Sequence, residues 1–152
     1  MAQPTTRQDT TLRITRTFAA PREAVFRAWT DPEGLKQWWG PPGYGTPVAE
    51  IDLRAGGRYR LGMRELPEGE IFYLSGTYRE IRPPEKLVYT WRWESDPPES
   101  QTLVTVEFQE RGAATEVVVT HEMFAARDQR DKHEMGWTGC LGKLVPFLAQ
   151  WR

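Results

Sequence analysis

The side chains best suited to chemistry near neutral pH are two histidines, His121 and His133, and a lone cysteine, Cys140. His121 follows Val117 and Val119 in an alternating run, a phase that turns it toward the interior. An inward imidazole can orient, or exchange a proton with, a bound carbonyl. It can also sit as a hydrogen-bonded core histidine, which is the commoner fate. His133 stands among charged residues and reads as solvated. Two histidines far apart in the chain and one cysteine match no zinc-ligand spacing, so no metal is expected. Cys140 falls in the apolar arc of a helical stretch and reads as a small hydrophobe. There is no nucleophile elbow, phosphate loop or dinucleotide fingerprint, and Gly56-Gly57 sits where a hairpin turns. The expectation is no cofactor, no assignable catalytic residue, and a leaning away from an enzyme.

The aromatic residues carry more information. Seven Trp, six Phe and five Tyr occur in 152 residues. Tyr59, Leu61 and Met63 share one strand phase, and Tyr89, Trp91 and Trp93 share another. Such a set either fills an ordinary core or walls a cavity. Large rings are awkward to interlock inside a bent sheet, and buried Tyr and Trp need polar partners. A mostly apolar ligand cavity relieves both demands. Trp38 and Trp39 are adjacent on a short helix and point about 100° apart. One must anchor the helix while the other lines the cavity mouth, and the loop at Gly40-Pro41 favours Trp39 for the mouth. Arg58, Arg60, Arg79 and Arg92 read as the solvated outer face of the sheet.

These residues need elements to hold them. Leu12 to Phe18 alternates as a half-buried strand. Pro21 suits a helix start, and Val25, Phe26 and Trp29 give a short helix over Arg22 to Thr30. Asp31-Pro32 caps a second short helix running to about Trp39, which Gly40-Pro41-Pro42-Gly43 ends. A meander follows: Ala49, Ile51 and Leu53; Tyr59, Leu61 and Met63; Ile71 to Ile81; Leu87 to Trp93; Val104, Val106 and Phe108; Val117, Val119 and His121. Short connections argue for antiparallel neighbours. From Arg127 to about Gln150, Trp137, Leu141, Leu144 and Leu148 recur at helical spacing, flanked by Cys140 and Phe147. Gly139, Gly142 and Pro146 project to the other side. At about 1.5 Å per residue this helix is about 36 Å long and needs a broad curved sheet to cover it.

Composition bounds the rest. The length suits one domain, expected over residues 11–152 behind a loose polar tail at 1–10. A net charge of -1 gives no argument for nucleic acid. No run approaches the length of a membrane span. No apolar signal core opens the chain, and one cysteine excludes an internal disulfide framework, which together favour the cytoplasm. A homodimer is compatible with all of this.

The segments Phe18-Ala19-Ala20-Pro21, Val25-Phe26, Trp29-Thr30-Asp31-Pro32 and Trp38-Trp39-Gly40-Pro41 resemble the activator of Hsp-90 ATPase homologue-like family. So do Asp52 to Gly57, Gly76 to Trp91 with its Pro83-Pro84, and Gly136-Trp137 to Leu144. That family lies within the START and birch-pollen-allergen-like (SRPBCC) superfamily. The resemblance implies an α+β helix-grip fold, about seven antiparallel strands curved around the terminal helix. It also implies an apolar cavity between sheet and helix that takes a small hydrophobic or aromatic molecule. The ligand-binding residues expected there are Trp39, Tyr59, Leu61, Met63, Tyr89, Trp91, Trp93, His121, Trp137, Leu141 and Leu144. A few superfamily members catalyse ring closure or dehydration in that space, so a cavity enzyme acting on a cyclic or polyketide-like substrate is the alternative. A protein-interaction module rests on analogy alone. The chaperone activator carries a further domain not found in this sequence, so no chaperone role is carried over.

Overall fold

The computed structural model describes residues 10–150. The tail expected over 1–10 lies outside the described residues, apart from Thr10. Strand β1 (Thr11–Phe18) leads into helices α1 (Arg22–Thr30) and α2 (Pro32–Trp38). Strands β2 (Tyr44–Ile51), β3 (Arg58–Glu65), β4 (Phe72–Arg82), β5 (Lys86–Trp93), β6 (Thr102–Arg111) and β7 (Ala114–Glu122) follow. Helix α3 (Arg127–Gln150) completes the described chain. The sheet order is β1-β7-β6-β5-β4-β3-β2, and every neighbouring pair is antiparallel. The chain is thus the α+β helix-grip architecture, with two short helices after the first strand.

Local chemistry explains the helix starts. Pro21 precedes α1, and the side chain of Asp31 accepts the Glu33 N–H at 3.1 Å to cap α2, with Pro32 in its first turn. Trp38 is fully buried, and its indole N–H donates to the Ala28 carbonyl at 3.0 Å, so it locks α2 onto α1. Trp39 follows the helix in extended conformation.

The sheet bends where its ladder is interrupted. Regular pairing of β4 with β5 stops between Ser75–Arg92 and Tyr78–Tyr89. Side chains step into the gap: the Thr90 hydroxyl accepts the Thr77 N–H at 2.8 Å, and the Thr90 carbonyl accepts the Tyr59 hydroxyl at 2.5 Å. Gly76 is required here, since a Cβ would stand 1.9 Å from the Thr90 oxygen and 2.7 Å from the Tyr59 ring. A further irregularity between Tyr78 and Glu80 shifts the phase of β4, so that Tyr78 and Ile81 both reach the core.

Two expectations need correction. Leu53 does not continue the alternation of Ala49 and Ile51: the strand ends at Ile51, and Leu53 lies in the following turn, 42% exposed. Asp52 and Arg58 close that turn by a backbone hydrogen bond of 2.9 Å, which removes Leu53 from the ladder. Nor does Gly139 face away from the protein. A Cβ there would come within 2.7 Å of Pro42, so the helix lies close on the loop after α2. Pro146 is exposed, as expected.

Candidate functional site

Between the β3–β5 end of the sheet, the loop after α2 and the N-terminal half of α3 lies a cavity of about 300 Å³. Four indoles dominate its wall: Trp39, Trp91, Trp93 and Trp137. Met63 and Cys140 border it inside, and both are nearly inaccessible. Tyr44, Phe72, Lys132 and His133 border it as well. Phe72 is 39% exposed and Lys132 is exposed, which places the opening beside them.

Each wall residue is held by an identifiable device. The Trp39 carbonyl accepts the buried Thr46 hydroxyl at 2.8 Å. The Trp39 ring meets Trp38 at 5.4 Å, Trp137 at 5.3 Å and Trp91 at 5.9 Å between centroids. Trp91 and Trp137 lie 5.5 Å apart and only 36° from parallel. Trp93 packs on Phe72 at 5.4 Å, and Phe72 meets Tyr44 edge-on at 6.1 Å. On α3 the wall residues are Lys132, His133, Gly136, Trp137 and Cys140, spaced as one face of a helix. Lys143 donates to the Tyr44 carbonyl at 3.1 Å, tying α3 to β2 near the opening.

Behind the indoles stands a closed polar chain. Trp137 Nε1 donates to His121 Nδ1 at 3.1 Å, and His121 Nε2 lies 2.7 Å from Thr102 Oγ1, which donates to the Trp91 carbonyl at 3.2 Å. Since Nδ1 accepts, the neutral ring carries its proton on Nε2 and donates to Thr102. His121 is fully buried, and burial, then the nearby His133, hold its pKa well below the ordinary value. The network fixes the backbone of Trp91 and the ring of Trp137 together.

The expected site residues therefore separate. Trp39, Met63, Trp91, Trp93 and Trp137 border the cavity. Tyr59, Leu61 and Tyr89 do not: they surround a separate void of about 20 Å³ with Tyr78 and Leu74, and belong to the core. Tyr59 meets Tyr89 at 5.3 Å and Tyr78 at 5.6 Å, and burial drives the hydroxyl pKa of all three upward. Leu141 and Leu144 are buried in the core beyond the cavity's inner end. His121 stands behind the wall with both ring nitrogens engaged by protein groups.

His133 overturns its reading as solvated. Its Nε2 accepts the Trp93 indole N–H at 3.1 Å and its Nδ1 lies 2.8 Å from the Gln129 carbonyl, so Nδ1 carries the proton. Burial lowers its pKa, partly opposed by the Gln129 carbonyl and Asp96 and reinforced by Lys132. The two histidines, distant in sequence, stand 5.4 Å apart. Gly40, Pro41, Tyr44, Phe72, Lys132, His133, Gly136 and Cys140 join the wall without having been singled out as wall residues from the sequence. The helical spacing of 132, 133, 136, 137 and 140 was the signal available for the α3 members. Cys140 is buried, and burial pushes its thiol up to about 12. No group of three or more potential metal ligands occurs among the described residues.

Residues 19–149 match the family described as activator of Hsp90 ATPase homolog 1-like protein. The chain belongs to that family. Among solved structures it resembles the AHSA1 protein of Silicibacter pomeroyi, at 30% identity and TM-score 0.81 over 93% of this chain and 99% of that one. A protein of Nitrosomonas europaea shares 28% identity at TM-score 0.80, over 93% of this chain and 96% of the other. CalU16 from Micromonospora echinospora shares the fold at 23% identity and TM-score 0.69, over 91% of this chain and 75% of that one. No curated protein matches the chain. This family fold commonly encloses hydrophobic ligands, which fits the cavity found here. No helix among the described residues is long and apolar enough to cross a membrane.

Proposed function

We propose that this protein binds one small hydrophobic or aromatic molecule in the cavity between the curved sheet and the N-terminal half of α3. The observation that carries this reading is an opening of about 300 Å³ walled by four indoles. A core whose only task was stability would close such a space, since each unfilled methylene volume costs about 1 kcal/mol. The size lies at the small end of ligand sites, of the order of 300–1,000 Å³.

Binding is favoured over turnover by the state of the reactive groups. Both nitrogens of His121 and of His133 are committed to protein partners, and the Cys140 thiol is held protonated by burial. The imidazoles and the thiol nearest the cavity are thus already engaged by protein groups or held protonated. The cytoplasm is the compartment that the single cysteine supports.

The test is a titration of intrinsic tryptophan fluorescence with the neutral naphthalene dye prodan. Saturable quenching at about one dye per chain is expected, with Trp91→Ala changing the affinity while the domain stays folded. Linear, unsaturable quenching indistinguishable from that of free tryptophan would remove the basis for this reading.

A further inference from the structure

The cavity wall carries one cation and no carboxylate. Lys132 stands exposed at the opening, and no ion pair joins it to a carboxylate among the described residues. The Trp93 and Trp137 N–H groups go to the two histidines, and the Tyr44 hydroxyl lies 3.4 Å from Glu65, which is off the wall.

Two opposed effects decide the ligand's charge. Indole faces attract cations. Lys132 at the opening repels them, and no carboxylate on the wall offsets it. Resting on the cavity as the binding site, we propose that its ligand is an aromatic acid. Two or three fused rings lie among Trp39, Trp91, Trp93 and Trp137, and an anionic oxygen group meets Lys132. Lys132 then sets the ligand's orientation, and the indoles supply the contact area.

Three probes of one shape separate the contributions: 2-naphthoate, the neutral 2-naphthamide, and the cation 2-naphthyltrimethylammonium, titrated calorimetrically at low salt and at about 0.5 M salt. The expected order places naphthoate about fivefold tighter than naphthamide, the scale of a charge pair at an exposed rim. That preference should shrink at high salt, vanish in Lys132→Met and persist in Lys132→Arg. Equal binding of naphthoate and naphthamide, or tightest binding of the cation, overturns the aromatic-acid assignment and leaves the cavity as the binding site. If none of the three binds, both fall.

Discussion

The indole nitrogen of Trp137 lies 3.1 Å from Nδ1 of His121, joining the terminal helix to the last strand by a buried hydrogen bond. The same imidazole reaches the Trp91 backbone through Thr102. Two cavity walls are thus positioned by a residue that does not touch the cavity.

This arrangement makes stability depend on pH. An imidazole kept neutral by burial titrates lower when folded than when unfolded, where its pKa is near 6.5. Stability should be full above about pH 6.5 and decline as the pH falls below it, by up to about 1.4 kcal/mol per pH unit for one group. His133 acts in the same direction. His121→Gln keeps a polar side chain but cannot titrate, so its denaturation midpoint should fall less than the wild type's between pH 7 and pH 5. Parallel curves for the two proteins would count against a neutral buried His121.

The fold was legible because its signals are local. Pro21, Asp31-Pro32 and the Gly40–Gly43 run punctuate the chain chemically, and the alternation of Leu87, Tyr89, Trp91 and Trp93 fixes which side of β5 faces inward. The cavity was legible only in part, for a geometric reason. Alternation tells which face a residue occupies, but not how far along that face it lies. Tyr59 and Met63 share a phase, yet four residues at about 3.3 Å each set them about 13 Å apart. That distance separates the core from the cavity wall. The same limit splits α3 between His133, Gly136 and Trp137 on the cavity and Leu144 and Leu148 in the core. Reading His133 from its charged neighbours missed the Trp93 indole, which arrives from strand β5, 40 residues away in sequence.

Leu144 has no exposed surface and lies beyond the cavity. Leu144→Ala should cost about 2–5 kcal/mol of unfolding free energy in chemical denaturation. A midpoint equal to that of the wild type would mean that α3 does not dock as described.

The Tyr59 hydroxyl occupies the gap in the β4–β5 ladder by donating to the Thr90 carbonyl. Tyr59→Phe removes the donor and leaves that carbonyl buried, so a loss of about 1–3 kcal/mol is expected. Amide exchange near Thr90 and Thr77 should accelerate with it. An unchanged stability and exchange pattern would show that the bond contributes nothing to the bend.

Cys140 borders the cavity but is held as a thiol by burial, with its pKa pushed up to about 12. The folded protein should react with an aromatic disulfide reagent at pH 8 far more slowly than the urea-unfolded chain does. Comparable rates would show that the cavity wall opens much more readily than its packing implies.

Gly136 offers the most direct test of the cavity as the binding site. It lies on the wall, and a Cβ built there meets no atom within 4 Å. Gly136→Leu should push a side chain into the cavity while gaining roughly 0.5–1 kcal/mol of helix propensity in α3. The decisive measurement is prodan affinity by fluorescence titration, alongside the thermal midpoint of each protein. Binding at least tenfold weaker is expected in Gly136→Leu, with a midpoint equal to or above the wild type's. Unchanged affinity in this stably folded variant would contradict the cavity as the binding site.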